Sequence, residues 1–429
     1  MNKANLAANE LVPEPKPKEL RNTPLRVQFV LTSLPVGGAE VLLLNLLKRL
    51  DRSKIAPEVI CLKDSGELGE SVAAEVPLKS NFLSSKWDLR VFPRLVKHLR
   101  NREADAVVTI GAGDKMFWGR LAANFANVPV VCSALHSTGW PDGVGFANRL
   151  LTGITDGFIA VAQNHAQHLV RHEKFPAEKV FTIPNGIDTE RFRPNQAAQH
   201  WLRKQLNVPT DANLIGIVAA LREEKNHRQF VDAGAQVLKT HSNTHFVIVG
   251  DGPERSSIEE RIGQLGLSTH FHLLGTRSDT EQILPGLDVF CLTSRNEANP
   301  VSILEALSCG VAVVSPDVGS ISETVLAGQT GILTKPLDAG STSEAISCLL
   351  SDGELRRNCG LRGRELVRKK GSLDAMTAGY ERLLAKLYNS KAIQSGWPRW
   401  EASQSGGQGQ IPDEACESRH QFEAEHISL

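Results

Sequence analysis

Short apolar runs rich in β-branched residues alternate with amphipathic stretches of helical length along most of this chain. Such alternation is typical of a parallel, doubly wound sheet whose faces are covered by helices. One series begins at residue 26 and a second at residue 214, so we predict two similar α/β domains. The predicted strands are 26–31, 56–62, 106–110 and 128–133 in the first series, and 214–219, 246–249, 270–274, 289–292 and 311–315 in the second.

The chain has 429 residues, of which 41% are hydrophobic, enough for two domains with a cleft between them. Turn-forming residues at 183–188 place the hinge near 185–200. The apolar spacing after residue 373 predicts one further amphipathic helix. The predicted divisions are a disordered tail at 1–24, a first domain at 25–190, a second at 191–370, the helix at 371–390 and a disordered tail at 391–429.

Charge and cysteine content limit the classes of partner. Basic and acidic residues both number 48, which argues against nucleic acid as a partner. The seven cysteines are scattered and odd in number, which is typical of reduced core thiols in a cytosolic protein. No signal peptide and no apolar run of roughly 18 residues is found, so we expect a cytoplasmic protein without a membrane span.

Gly37 and Gly38 lie at the turn between the first strand and the first helix. Adjacent glycines there let backbone amides approach an anion at the positive end of the helix, although they also suit a simple tight turn. The third glycine and the acidic residue of a dinucleotide fingerprint are missing, and no phosphate-loop lysine motif occurs. Nicotinamide chemistry and nucleotide hydrolysis are therefore disfavoured.

A group of charged residues follows the first strand of the second domain. Arg222 and Lys225 lie just past its carboxyl end, where cations are well placed to hold a phosphate group. The alternative is a solvated charged loop. The turn at 250–254 is interpreted as structural.

A short helix in the second domain is the most informative segment. Pro300 suits its first turn and Gly310 the position past its end. Glu297 then precedes the helix, Glu305 lies within it, and the amides of 301–303 face the space between them. Two carboxylates flanking an anion site suit a ligand with hydroxyl, phosphate and hydroxyl groups, as in a nucleotide sugar. The alternative is that both glutamates are ordinary surface charges.

Three further features have a structural and a functional interpretation. His136 follows a buried strand and points towards the predicted cleft, although a lone histidine there is more often structural. His165, His168 and His172 share a helix face but lack a further ligand, so no metal site is predicted. The basic, apolar stretch 86–100 is compatible with a helix on anionic lipid or with a solvated helix face.

Together these motifs resemble the retaining glycosyltransferases of family 4, over roughly residues 26–388. The resemblance depends on the glycine turn, residues 184–188, 221–225 and 250–253, and above all the two glutamates with seven residues between them. It implies the GT-B fold, in which two Rossmann-like domains face a central cleft, with a final helix that crosses back to the first domain. The first domain would bind the acceptor and the second the nucleotide sugar.

The resemblance also implies a role for each site residue. Catalytic roles fall to His136 near the reacting sugar, Lys225 on the diphosphate and Glu297 on the sugar hydroxyls. Donor binding falls to Gly37, Gly38, Arg222, Arg277, Val301, Ser302, Ile303 and Glu305, with Arg277 near the base and Glu305 on the ribose. No metal or other cofactor is expected. The expected partners are a nucleotide sugar, a glycan or lipid-linked acceptor, and the inner face of the membrane as a peripheral contact.

Two positions depart from the family pattern. The usual arginine before the leucine is Ala220, which leaves Arg222 as the substitute. Ala298 and Asn299 replace a common glycine and phenylalanine, so the donor sugar does not carry over. The predicted reaction is hexosyl transfer with retention from a UDP-sugar or GDP-mannose. A nucleotide-sugar epimerase, a phosphorylase and a non-catalytic sugar-nucleotide sensor are the alternatives.

Overall fold

The computed structural model describes residues 20–84, 88–111, 113–136 and 149–401. Within them, two parallel sheets form two α/β domains, which confirms the predicted fold class. The strands, β1 to β15 in chain order, are Leu20–Arg21, Leu25–Leu31, Ile55–Cys61, Leu78–Lys79, Ala106–Ile110, Val130–Ala134, Gly157–Ala160, Val180–Thr182, Asn213–Val218, Thr244–Val249, Phe271–Leu273, Val289–Cys291, Ala312–Pro316, Gly331–Thr334 and Arg399–Trp400.

Helices cover both sheets, as the amphipathic stretches predict. In the described parts of the chain the helices, α1 to α13, are Gly38–Arg49, Gly69–Ala73, Val91–Asn101, Asp114–Phe125, Gln163–Arg171, Gln196–Leu206, His227–Val237, Arg255–Gln264, Thr280–Ile283, Val301–Ser308, Ala339–Ser351, Gly353–Lys370 and Leu373–Ser395. Their apolar sides pack on the central strands, which are buried along nearly their whole length and therefore consist of continuous apolar runs.

The sheet of the first domain has the strand order β4-β3-β2-β5-β6-β7-β8. The chain order reverses beside β2, because β3 lies on one side of it and β5 on the other. In open α/β sheets ligands bind outside the carboxyl ends of the strands at such a switch point. The loop after β2, which carries Gly37, therefore lies at the edge of a crevice.

The sheet of the second domain has the order β11-β10-β9-β12-β13-β14, and its switch point lies between β9 and β12. The loop after β9 carries Lys225 and the loop after β12 carries Glu297. Parallel neighbouring strands end at the same edge, so this register brings two segments that are distant in sequence together.

Two chain crossings connect the domains side by side. The Ile187 amide donates to the Gly371 carbonyl (2.9 Å), and the Leu373 amide donates to the Ile187 carbonyl (2.9 Å). Gly186 is required here, since a Cβ atom would lie 2.4 Å from the Ser372 carbonyl oxygen. Helix α13 then packs against the core of the first domain, with an ion pair between Lys54 and Glu381 at 3.0 Å. The predicted helix that crosses back is confirmed.

The predicted disordered tails at 1–24 and 391–429 are both too long: the first extends too far towards the C-terminus and the second starts too early. Helix α13 continues to Ser395, and β15 pairs in parallel with β1 at Leu20–Arg21. The indole of Trp400 is buried and donates to the Thr23 carbonyl at 3.1 Å. Both segments are therefore ordered on the first domain, and residues 1–19 and 402–429 lie outside the described residues.

Two further predictions were that the cysteines lie in the cores and that the chain has no membrane span. Five of the six described cysteines are buried in the cores, whereas Cys348 is exposed, and Cys416 lies outside the described residues. Among the described helices, none combines the length and apolar character that crossing a membrane requires.

Candidate active site

Lys225 and Glu297 contact each other directly at the switch point of the second domain. The Lys225 ammonium lies 2.5 Å from the Glu297 carboxylate, whose side chain is only 10% exposed. The Ser294 hydroxyl donates to the same carboxylate oxygen at 2.6 Å. A charge-assisted pair of this kind holds both side chains in one position. An anion that enters would compete for the lysine and leave the carboxylate for hydroxyl donors.

The loop that carries Lys225 is fixed to the loop that carries Glu297. The Thr293 hydroxyl donates to the carbonyls of Lys225 (3.2 Å) and Asn226 (3.0 Å), and the Arg295 amide donates to the Glu224 carbonyl (2.8 Å). Asn226 has a left-handed backbone (φ 51°), which turns the chain into α7. The two loops therefore form one backbone unit.

The backbone of Glu297 is supported from below by the turn after β13. The Ser320 amide donates to the Glu297 carbonyl at 2.9 Å. Gly319 lies in the left-handed region (φ 59°), and a Cβ atom there would lie 2.0 Å from the Glu297 carbonyl oxygen. Only glycine fits this close approach without strain.

Helix α10 begins immediately beyond these loops. Val301, Ser302 and Ile303 form its first turn, and no side chain caps it. Pro300 was predicted to lie in the first turn. It is instead the N-cap residue, because its backbone is extended, with a ψ of 118°. An uncapped helix start carries a partial positive charge that favours an anion.

Glu305 lies in the middle of α10 among buried apolar residues. Burial raises its pKa to about 8; nearby Arg191 lowers the pKa, and Glu281 raises it further. Burying a carboxyl group is unfavourable unless hydroxyl or amide donors reach it. Groups with a pKa shifted in this way often mark functional sites.

Arg277 and Arg191 each pair with an acidic side chain, and Arg191 is close enough to Glu305 to lower its pKa. The Arg277 guanidinium donates to both carboxylate oxygens of Asp279, at 2.8 and 2.6 Å. Arg191 donates to the Ser278 carbonyl (3.0 Å) and to Glu281 (2.8 Å). Arg277, predicted near the base, is therefore paired with an acidic neighbour in this state.

Arg222 is far less constrained than Lys225. Its side chain is 65% exposed and its guanidinium lies 4.0 Å from Glu224, beyond hydrogen-bond reach. This geometry neither brings Arg222 to Glu297 nor ties it elsewhere.

Gly37 and Gly38 begin α1 on the first domain. Gly37 is the N-cap, no side chain caps the helix, and a Cβ atom on Gly38 would meet no atom within 4 Å. The Glu40 carboxylate lies 2.5 Å from where a Cβ atom on Gly37 would be, so an acidic side chain is already at this helix start. Binding of an anion by the turn stays a prediction.

His136 lies where the two domains meet. It is hydrogen-bonded to Asn185, whose amide donates to the Asn299 carbonyl of the second domain at 2.9 Å. Burial lowers the pKa of His136 to about 4, with nearby His165 acting in the same direction. His136 is therefore neutral at physiological pH. The Asn299 side-chain oxygen is buried and has no hydrogen-bond partner in the described residues.

A cavity of about 220 Å³ separates α5 from the Glu297 loop. It is lined by Asn164, His165, His168, Asn296, Glu297, Ala298, Gly319 and Ser320. Within the described residues, no three His, Cys, Asp or Glu side chains lie close enough together to hold a metal ion.

The predicted basic stretch is only partly described, because Lys86 and Trp87 lie outside the described residues. Arg90 and Arg94 both pair with Asp88. Leu89 and Phe125 are 70% and 53% exposed on the same side of the first domain, where the Phe92 and Phe125 rings meet edge to face at 5.1 Å.

Known proteins resemble this chain over most of its length. The profile for glycosyltransferase family 4 matches residues 36–191, and that for group 1 glycosyl transferases matches 199–366. A Campylobacter jejuni N,N'-diacetylbacillosaminyl-diphospho-undecaprenol alpha-1,3-N-acetylgalactosaminyltransferase is 30% identical, over 63% of this chain and 74% of its own length. The chain belongs to the group 1, family 4 glycosyltransferases. The Bacillus subtilis (strain 168) putative glycosyltransferase EpsF is 28% identical, over 75% of this chain and 85% of its own.

Solved structures share the GT-B fold of this glycosyltransferase. Anabaena HepE in complex with UDP-glucose superposes with a TM-score of 0.74 at 22% identity, covering 84% of this chain and all of its own. A glycosyltransferase from Rickettsia africae gives a TM-score of 0.75 at 20% identity, covering 86% and 99%.

Several supporting residues of the candidate site were not predicted. Ser294, Asn185, Gly319 and Glu323 all contact the loops or the domain boundary described above. Their signal is weak in sequence, because each acts through a contact with a distant segment. Gly319 alone among these four carried a local signal, because a glycine in a turn at a strand end often marks a close approach of two backbone segments.

Proposed function

We propose that this enzyme transfers a hexosyl group from a nucleoside diphosphate sugar to an acceptor hydroxyl, with retention of anomeric configuration and without a metal ion. The observation that carries the proposal is the contact between Lys225 and Glu297 beside the uncapped start of α10. One cation, one carboxylate and one helix start within a single unit match a phosphate joined to a sugar.

The donor lies across the second domain in this proposal. Lys225 and the amides of Val301, Ser302 and Ile303 neutralise the diphosphate, and Glu297 accepts from the sugar hydroxyls. Glu305 accepts from the ribose, which supplies the hydrogen-bond donors that its buried carboxyl group lacks. Arg277 turns from Asp279 towards the base.

The first domain completes the site in the proposal. Gly37 and Gly38 border the diphosphate, and neutral His136 hydrogen-bonds near the reacting sugar. The departing phosphate takes the acceptor proton on the same face, so no second carboxylate opposite the sugar is needed. Lys225, Arg222 and the helix amides stabilise the charge on the leaving group.

The names of similar proteins support the substrate classes. Anabaena HepE binds UDP-glucose, and an Escherichia coli relative at 26% identity is a UDP-Gal:alpha-D-GlcNAc-diphosphoundecaprenol alpha-1,3-galactosyltransferase. We propose a UDP-sugar as donor, with GDP-mannose next, and a glycan or lipid-linked glycan as acceptor. The proposal names no particular sugar, because Asn299 departs from the family pattern in the proposed sugar pocket.

We also propose a peripheral contact with the cytoplasmic face of a membrane, through the exposed Leu89 and Phe125 beside basic α3. Leu89→Asp/Phe125→Asp should then lower sedimentation with vesicles of anionic phospholipid and leave transfer to a water-soluble acceptor unchanged. Equal sedimentation of the wild type with and without vesicles would contradict the membrane contact.

The test is nucleoside diphosphate release from a panel of nucleotide sugars in the presence of a chelator. Lys225→Ala and Glu297→Ala should each lower turnover by about 100-fold or more, since each removes a charge from the transition state. Lys239→Ala, at an exposed lysine of the same domain, is the matched control. Donor binding without turnover would favour the sensor, and conversion of the donor without acceptor would favour the epimerase.

A further inference from the structure

A contact between the two domains lies directly beneath the Glu297 loop. The backbone amides of Gln163 and Asn164, in the first turn of α5, donate to the two carboxylate oxygens of Glu323, at 2.8 and 2.6 Å. α5 belongs to the first domain and Glu323 to the second. The Asn164 side chain also donates to the Gly319 carbonyl, at 3.4 Å.

The position of Glu323 suits this contact on both sides. First-turn amides have no acceptor within their own helix, and α5 has no side-chain cap of its own. A carboxylate from the other domain therefore caps α5 and meets the positive end of its dipole. The glutamate is held rigidly, because its 3₁₀ turn is anchored by Ile321, which is fully buried in the core of the second domain.

A short path leads from Glu323 to the reacting groups. The Glu323 amide donates to the Ser320 carbonyl (3.2 Å), the Ser320 amide donates to the Glu297 carbonyl (2.9 Å), and the Glu297 carboxylate holds Lys225. Only a few backbone bonds separate the domain contact from the sugar-binding carboxylate. The position of α5 and the position of Glu297 are therefore set by the same turn.

We propose that Glu323 is a positioning residue that latches the two domains together and so sets Glu297 for transfer. This inference builds on the proposed function, because the latch matters to turnover only if the cleft is the transfer site. Glu323 touches no substrate in this account. It acts through the Gly319–Ser320 turn and through the orientation of α5, whose residues line the cavity beside Glu297.

The chain offers matched variants for the test. Glu323→Ala removes the latch, and Glu323→Gln keeps its size but loses the charge and one of its two acceptors. Gln163→Pro removes one amide from the other side at the first helical position, where proline is tolerated. Gln163→Ala keeps that amide, and Glu344→Ala changes an exposed glutamate of the same domain.

Glu323→Ala should lower kcat by about tenfold, equivalent to about 1.4 kcal/mol, and Gln163→Pro by about threefold. The kcat of Glu323→Gln should lie between those of the wild type and Glu323→Ala. Affinity for the nucleoside diphosphate alone should stay within about twofold, because its proposed charged contacts, Lys225 and the amides at the start of α10, all lie in the second domain, whereas Gly37 and Gly38 of the first domain only border the diphosphate. Gln163→Pro should add nothing in the Glu323→Ala background, since both changes break one contact.

Hydrogen exchange provides a readout that is independent of transfer. In the wild type, the amides of Gln163 and Asn164 should exchange slowly, and in Glu323→Ala they should exchange as exposed amides do. Fast exchange in the wild type, unchanged kcat in Glu323→Ala, or additive effects of the two variants would each overturn the latch. If the wild type transfers no sugar while exchange at α5 still depends on Glu323, the proposed function fails and the contact stands.

Discussion

Glu305→Gln tests the buried carboxyl group of the proposed nucleotide site through its effect on stability. The folded protein holds a proton on Glu305 up to a pKa of about 8, whereas the unfolded chain loses it near 4.5. Between these values the folded state binds more protons than the unfolded state, so the stability of the wild type falls as pH rises from about 4.5 to about 8. Glutamine has no such titration, so the variant should lack this decline.

The magnitude follows from the pKa. Raising it from 4.5 to about 8 corresponds to about 5 kcal/mol, at about 1.4 kcal/mol per pKa unit. The side chain keeps partial contact with water, so we take about half, roughly 2–3 kcal/mol. At about 2–4 °C per kcal/mol for a domain of this size, Glu305→Gln should melt about 5–10 °C above the wild type at pH 8.5.

The assay is thermal unfolding of ligand-free protein from pH 4.5 to 8.5, with Glu344→Gln as the exposed control in the same domain. The wild type and Glu305→Gln should melt together at pH 4.5 and separate as pH rises. Parallel melting curves across the whole range would show that the Glu305 carboxyl is already solvated or paired, and would refute the reasoning.

Donor binding should lower the pKa of Glu305, the opposite of the effect of burial. If ribose hydroxyls donate to Glu305, binding stabilises its charged form and releases close to one proton at pH 7. Calorimetry in buffers of different ionisation enthalpy measures that release. Glu305→Gln should release none and bind the donor about 10–100-fold more weakly, since a hydrogen bond to a charged group is lost. Equal proton release in both proteins would contradict ribose contact.

Two further predictions compare matched positions. Gly319→Ala should lower turnover more than tenfold, and Gly328→Ala much less. Both glycines have positive φ, but only Gly319 lies against the Glu297 carbonyl. Equal activities of the two variants in steady-state assays would contradict this prediction. Trp400→Ala should cost about 2–4 kcal/mol of unfolding free energy in denaturant titrations, and Trp397→Ala, which is 38% exposed, less than about 1. Equal costs would mean that the segment at Trp400 is not packed in solution.

The fold was predictable wherever an apolar pattern was long enough to have a period. The central strand Leu25–Leu31 and helix α13 were predicted from such patterns. Strands Leu78–Lys79 and Val180–Thr182 were not, because two or three residues contain no period. The pairing of Arg399–Trp400 with β1 joins the two ends of the chain, and local sequence carries no information about such a contact.

The site was predictable as chemistry but not as geometry. Glu297, Glu305 and Lys225 stood out because charged groups lay at strand ends or inside an apolar helix. Their contact depends on the strand order β9-β12, which sequence patterns do not specify. Glu323 carried no local signal at all, since its partners are backbone amides 159 and 160 residues away.

The central claim is metal-independent transfer from a nucleotide sugar through Lys225 and Glu297. Its most direct measurement is nucleoside diphosphate release from UDP- and GDP-sugars, with acceptor present, in excess chelator. The account predicts full turnover by the wild type and a loss of about 100-fold or more in Lys225→Ala and in Glu297→Ala. Turnover that requires added magnesium or manganese, or that survives both substitutions, would contradict it.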